Sequence, residues 1–249
     1  MNWFEEWFDS PYYHMLYCNR SEQEAELFIK NLIKKLGVDS FQILHSEIRI
    51  LDAACGKGRH SRTLNKLGFD VTGIDLSKNS IAFAKQFENE HLHFAVHDIR
   101  QTYNTNQFDF VFNLFSSFGY FDNESEDLKV IKAFAETLKP EGILVLDYLN
   151  SQWAVKMMKP RDIIQRDEVQ FHIQKKLENG FIVKSIDFLI DGENHHYQEC
   201  LKVIPLNRFE KMFAEAGFTL LQTFGDYDLN QFKPADSPRL ILVAKRHSS

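Results

Sequence analysis

The sequence predicts an α/β fold built on a mostly parallel sheet with helices on both faces, and three observations predict it. Strand-like aliphatic runs alternate with helical runs from Ile48 to Asn150, the order that right-handed crossovers turn into a parallel sheet. Three successive strand-like runs end near an acid, at Asp52, Asp75 and Asp98. After Asn150 the texture changes to period-two alternation around the turns ENG and DGEN, the pattern of an antiparallel insertion.

Ahead of the alternation, Ser10 followed by Pro11 reads as an N-cap with proline at the first helical position, so YYHMLYC forms a short helix on which Tyr13 and Tyr17 share a face. Trp3, Phe4, Trp7 and Phe8 precede it, a cluster too aromatic to float in water. Residues 1–20 are therefore expected to cover something. SEQE at Ser21 to Glu24 is a capping box, and Ala25, Phe28, Ile29, Leu32 and Ile33 repeat at helical spacing until Gly37.

The first strand, Ile48–Asp52, passes through Ala54, Gly56 and Gly58 into a helix at Arg59–Leu67. Such a turn lets backbone approach a ligand where a Cβ would clash, and the helix start offers unpaired N–H groups. A dinucleotide fingerprint would carry a third glycine where this chain has Ser61. Seventeen residues after Gly58, Asp75 ends the second strand, Val71–Asp75, where it can accept both hydroxyls of a ribose. A helix over Ser77–Phe87 leads to Leu92–Val96 and Asp98. The fourth strand, FDFVFNLF, ends at Asn113 and runs into SSFGYFD, in which Gly119 permits a bend and Tyr120 is a candidate wall residue. A helix over roughly Ser125–Leu138 precedes ILVLDYLN, whose Asp147 emerges at the ligand-holding carboxyl edge and is a candidate substrate contact.

In the insertion, 151–205, alternation gives one apolar face through Val169, Phe171, Ile173, Ile182, Ile186 and Leu189, and an opposite face with Lys175, Lys184, Asp187 and Glu199. His195 and His196 lack a third ligand at metal spacing, so no metal is expected. Asn207 with Glu210 starts the helix RFEKMFAEAGF, and TLLQTF and RLILVAKR close the chain.

Composition excludes several classes. A net charge of −6 over 249 residues lacks the basic footprint of a nucleic-acid binder. Three cysteines at no metal or redox spacing point to a reducing compartment. The acids of MNWFEEWFDS are unlike a signal peptide, and the longest apolar runs are too short for a bilayer. A single cytoplasmic domain, 1–249, with no membrane or nucleic-acid partner is expected.

LDAACGKG, GIDLS and HDIR resemble the first three motifs of the class I S-adenosylmethionine-dependent methyltransferases, and the resemblance runs from about Phe28 to Arg246. It implies a Rossmann-like, mostly parallel seven-stranded sheet closed by an antiparallel pair, with S-adenosylmethionine as cofactor. By the same resemblance Gly56, Gly58 and the Ala54 carbonyl hold the methionyl part, with Asp52 near its ammonium. Asp75 with Leu76 takes the ribose, Asp98 and the Ile99 backbone meet the adenine, and Asn113, at the end of the fourth strand, is a further cofactor-binding residue. Residues 1–20 fold over the cofactor, with Tyr17 beside it and Arg20 as a candidate for its carboxylate.

FSSFGYF resembles the corresponding turn of small-molecule methyltransferases, notably sugar-amine N-methyltransferases. Asn113-Leu-Phe-Ser is not the Asn/Asp-Pro-Pro-aromatic turn of enzymes that methylate DNA bases. The implied activity is methyl transfer to N or O of a small-molecule acceptor, with Tyr13, His14 and Tyr120 as candidates for a base or orienter and the insertion as a lid. A nicotinamide-dependent oxidoreductase and a non-catalytic cofactor-binding protein remain as alternatives.

Overall fold

The computed structural model describes residues 2–18, 22–38 and 44–248. Seven strands form the main sheet: β1 (Arg49–Ala53), β2 (Asp70–Asp75), β3 (Leu92–Val96), β4 (Phe108–Asn113), β5 (Leu138–Leu149), and, after the insertion, β10 (Phe218–Phe224) and β11 (Arg239–Arg246). Their spatial order is β10-β11-β5-β4-β1-β2-β3, with β11 antiparallel to both neighbours and the other pairings parallel. The order reverses between β1 and β4, so the crevice of an open α/β sheet falls at their carboxyl ends. Burial on both faces explains the near-continuous apolar runs: Leu240, Ile241, Leu242, Val243 and Ala244 are all buried.

One face packs on α3 (Glu22–Lys35), α4 (Arg59–Lys66) and α5 (Lys78–Ala84) through Phe28, Leu64 and Ile81. The other packs on α6 (Glu124–Thr137) and α8 (Leu206–Glu215) through Phe134, Phe209 and Phe213. Ser21, which opens the expected capping box, and Arg20 lie outside the described residues.

The insertion begins with a helix, α7 (Ser151–Lys156), and forms a separate antiparallel sheet in the order β6 (Arg161–Arg166), β7 (Val169–Glu178), β8 (Phe181–Ile190), β9 (Glu193–Lys202). Strand β6 was not expected; as an edge strand paired only to β7 it carries the charged sequence RDIIQR, which hides its alternation. The pairing Ile173↔Ile186 and Phe188↔His195 fixes which side chains face in. It puts Phe188 inside and leaves Leu189 58% exposed, reversing the expectation for Leu189. It also puts Lys184 and Glu199, directly paired, on the inner face beside Ile186 and Tyr197 and not on the opposite one. Helix α8 is capped by Pro205, ahead of the expected Asn207.

The chain's first residues form two short helices, α1 (Trp3–Phe8) and α2 (Pro11–Leu16), joined at Ser10, whose hydroxyl accepts the Tyr12 N–H at 3.1 Å as an N-cap. This strap is more than a cover. Trp7 and Leu16 are almost fully buried against Phe171, Ile173, Ile186 and Phe188, a third hydrophobic cluster that the insertion sheet cannot complete alone.

Candidate functional site

A cavity of about 1260 Å³ opens at the carboxyl edge of the parallel strands. It exceeds the roughly 300–1,000 Å³ of an ordinary single-ligand pocket. One wall comes from the β1–α4 loop and the ends of β2 and β3; the other comes from the strap, the β4–α6 loop and β9.

The β1–α4 loop turns through positive φ at Ala54 (61°), Gly56 (56°) and Gly58 (75°). Ala54 and Gly56 line the cavity, and a Cβ on Gly56 would meet nothing within 4 Å, so the missing side chain leaves open ligand space. Gly58 does something else. It caps α4 away from the wall, and a Cβ there would sit 2.6 Å from the Phe94 ring, so its need is packing and not ligand approach. Asp52 is also behind the wall, 1% exposed, and accepts the Ser61 hydroxyl at 2.5 Å. Burial raises its carboxyl to about 6 against the Ser61 hydrogen bonds. The residue standing where a third glycine was sought is therefore the partner of the buried acid.

Asp75 lines the cavity. Its two oxygens accept the Gly56 and Ser77 N–H groups, each at 2.8 Å, so one carboxylate fixes both the glycine loop and the start of α5. Burial raises it and these N–H donors oppose the rise. Leu76, Asp98 and Ile99 continue the same wall. Asn113 does not reach it: fully buried, its Nδ2 donates to the Ala53 carbonyl at 3.0 Å and the Ser117 carbonyl at 3.3 Å, tying the end of β1 to the loop after β4.

That loop carries two consecutive non-glycine residues in the left-handed region, Phe115 (φ 60°) and Ser116 (φ 58°). Each costs about 1–3 kcal/mol unless its surroundings hold it. Asp147 holds it here: its Oδ2 accepts the Phe115 N–H at 2.9 Å and its carbonyl the Ser116 N–H at 2.9 Å. The Asp147 carboxylate is fully buried against the Arg239 guanidinium at 2.7 Å and does not face the cavity, so it anchors the loop and is not a substrate contact. Arg239 also donates to the Ser116 hydroxyl at 2.9 Å and lines the cavity. The Phe115 ring lies under the Arg59 guanidinium, 4.1 Å away.

Tyr13, His14 and Tyr120 all line the cavity. Tyr120 donates its hydroxyl to the Ser116 carbonyl at 2.5 Å and packs its ring on Trp3 and Phe8, which fixes it as part of the wall. His14 is lowered to about 4, first by burial and then by the Lys57 charge, so its ring is neutral near pH 7. Tyr17 lines the cavity but its hydroxyl donates to Glu199 at 2.7 Å. The Trp7 indole N–H donates to the same carboxylate at 2.7 Å, and Lys184 pairs with it at 3.4 Å.

Glu199 thus joins the strap to the insertion sheet, and nothing in its local sequence marks it. A second anchor is Asp9, whose carboxylate accepts the Ser77 hydroxyl at 2.5 Å and the Asn79 N–H at 3.1 Å. His195 stacks on Phe188 and His196 pairs with Asp187 at 2.7 Å; among the described residues no three such side chains cluster as a metal site.

A methyltransferase-domain family model matches residues 50–142, the span from β1 into β5. The glycine/sarcosine N-methyltransferase of Aphanothece halophytica is 30% identical over 91% of this chain and 83% of its own. The chain belongs to the class I S-adenosylmethionine-dependent methyltransferases. The nicotinamide reading falls with that assignment. Among solved structures, an S-adenosylmethionine-dependent methyltransferase from Clostridium acetobutylicum superposes with a TM-score of 0.78 at 18% identity, covering 95% of this chain and 96% of its own. The S-adenosylmethionine-bound amino pentose methyltransferase CalS10 of Micromonospora echinaspora gives 0.69 at 20% identity over 92% of each chain. This methyltransferase therefore has the family's Rossmann-like sheet, cofactor and enzyme class, with no described helix long and apolar enough to cross a membrane.

Proposed function

We propose that this methyltransferase acts on a nitrogen of a small molecule inside the cavity between its two walls. The observation that carries the reading is a cavity larger than one ligand needs, with a backbone-rich wall of carboxylates on one side and an aromatic wall closed by the strap and the insertion on the other. The first wall fits the cofactor. Gly56 leaves the space a Cβ would fill, and the Asp75 carboxylate, spending one lone pair of each oxygen on Gly56 and Ser77, keeps acceptor capacity for a ribose diol. Ala54 and Gly56 would hold the methionyl part, Asp75 and Leu76 the ribose, and Asp98 and the Ile99 backbone the adenine. When bound, S-adenosylmethionine supplies an electrophilic sulfonium methyl.

The chain's own residues orient the acceptor and exclude water. Holding nucleophile and methyl in a dry, closed site can supply several kcal/mol. Neutral His14 offers a ring nitrogen that accepts a hydrogen bond from an amine N–H, and it is too weak a base to deprotonate an alcohol. That favours N over O, as does the N-methyltransferase named above. The surplus of acids in the chain and its missing base-methylating turn support a small acceptor over a nucleic acid.

Methyl transfer from labelled cofactor to a panel of glycine, sarcosine and amino sugars, run beside their hydroxyl analogues and beside DNA and RNA, tests this. Turnover confined to the amines is expected. Preferential labelling of the hydroxyl compounds or of nucleic acid would overturn it.

A further inference from the structure

The loop after β3 folds on itself: the Gln101 N–H donates to the Asp98 carbonyl at 2.9 Å, and the Arg100 N–H donates to Asp98 Oδ1 at 2.9 Å. Around this turn the Arg100 guanidinium grips the Asp98 carboxylate with its Nε/Nη2 edge, Nε 3.0 Å from each oxygen and Nη2 2.5 Å from Oδ2. Asp98 lines the cavity and Arg100 does not, so the grip comes from outside. The guanidinium is itself held, by Glu126 of α6 at 2.8 Å and by the Phe121 ring 4.8 Å away. No chemistry described above uses this arrangement.

We propose that Arg100 is the positioning residue that makes the adenine end of the site selective, by locking Asp98 in one rotamer and in its acceptor-only form. The inference rests on the reading that Asp98 faces the adenine. An ionised carboxylate aimed at the base accepts from a 6-amino group but repels a 6-oxo group, whereas a protonated acid can pair with either and a carboxylate free to turn away neither binds the one nor repels the other. Burial pushes the Asp98 carboxyl up, and the Arg100 hydrogen bonds and charge more than reverse this, holding it below the ordinary range. A site committed to accepting one hydrogen bond rejects the analogue that cannot donate it.

The test is calorimetric binding of S-adenosylhomocysteine and S-inosylhomocysteine to the full chain. A hydrogen bond to a charged group is worth about 1.5–3 kcal/mol, so the native protein should prefer the adenosyl compound roughly 10- to 100-fold. Asp98→Asn, whose amide can turn either way, and Arg100→Met should both bring the ratio to within about threefold, with Arg100→Lys intermediate. A purely structural role for Arg100 would weaken both ligands alike and leave the ratio standing, which overturns the proposal. A native protein that does not discriminate removes Asp98 from the adenine and the proposal with it. If Arg100→Met does not fold, Arg100→Lys and Glu126→Gln are read on the same ratio, and no decline in either sinks the idea.

Discussion

On the side of the cavity proposed for the cofactor, Gly56, Asp75 and Asp98 each sit at or just beyond the carboxyl end of a parallel strand, and their hydrogen bonds stay within the loops there. On the side proposed for the acceptor, Trp7 and Tyr17 meet Glu199 across separations of 192 and 182 residues. The first wall is built by strands that exist for other reasons, since β1 and β2 lie inside the main core. The second exists only once the strap and the insertion have found each other. A perturbation should therefore break the two walls separately: the first through affinity for the cofactor, the second through affinity for the acceptor or through the fold of the insertion.

The largest effect is expected where the insertion rejoins the domain. Lys202 pairs with Asp127, which is 2% exposed, and removing one member of a buried pair strands the other. Lys202→Met should cost about 3–5 kcal/mol in denaturant unfolding, and the double variant with Asp127→Leu should recover most of it. If the single and double variants melt alike, the pair does not hold that joint.

Next comes Asp75→Ala, which should weaken S-adenosylhomocysteine binding roughly 10- to 100-fold by calorimetry while leaving unfolding of the insertion unchanged. Unaltered binding would remove Asp75 from the ribose. Glu199→Gln keeps the shape of the strap's anchor but not its charge opposite Lys184. It should raise acceptor KM roughly 3- to 10-fold, the difference of about 1 kcal/mol between a charged hydrogen bond and a neutral one, with cofactor affinity within about twofold. Equal losses for both ligands would erase the distinction between the walls.

The remaining effect is one of pH and touches neither ligand. Asp52 ionises near 6 when folded and near 3.8 when not, so between those values the folded state binds the extra proton and stability falls as pH rises. Asp52→Asn removes that slope. Its stability relative to the native protein should therefore improve from pH 4 to pH 7, and a constant difference would show that Asp52 is not held in its protonated form.

That Ala54, Gly56, Asp75 and Asp98 line one wall of the cavity was legible because strand ends and glycine turns are local chemistry. What was not legible depends on direction. A Gly-x-Gly spacing cannot say that Gly56 faces ligand space while Gly58 lies under Phe94, a residue 36 positions on. Asp52, Asn113 and Asp147 stand at strand ends as expected, yet their side chains turn into the protein, toward Ser61, Ala53 and Arg239. In DFLI the period of two that runs through Ile182 and Ile186 lands on Phe188 and not on Leu189, so the expectation for Leu189 broke the strand's own alternation, and the pairing with β9 keeps that register. Glu199 and Asp9 read as surface acids because their donors are far away in the chain.

The strap also constrains how the protein is made. Trp3, Phe4, Trp7 and Phe8 leave the ribosome early, but the sheet that buries Trp7 is complete only with β9, nearly the whole chain later. Trp3, Phe4 and Phe8 can meet Tyr120 and Phe121 sooner, but until then Trp7 has no sheet to cover it, the kind of exposed apolar surface that associates wrongly during synthesis. Trp7 should accordingly stay open to solvent in the nascent chain until Lys202 has emerged, and become protected as the third hydrophobic cluster closes.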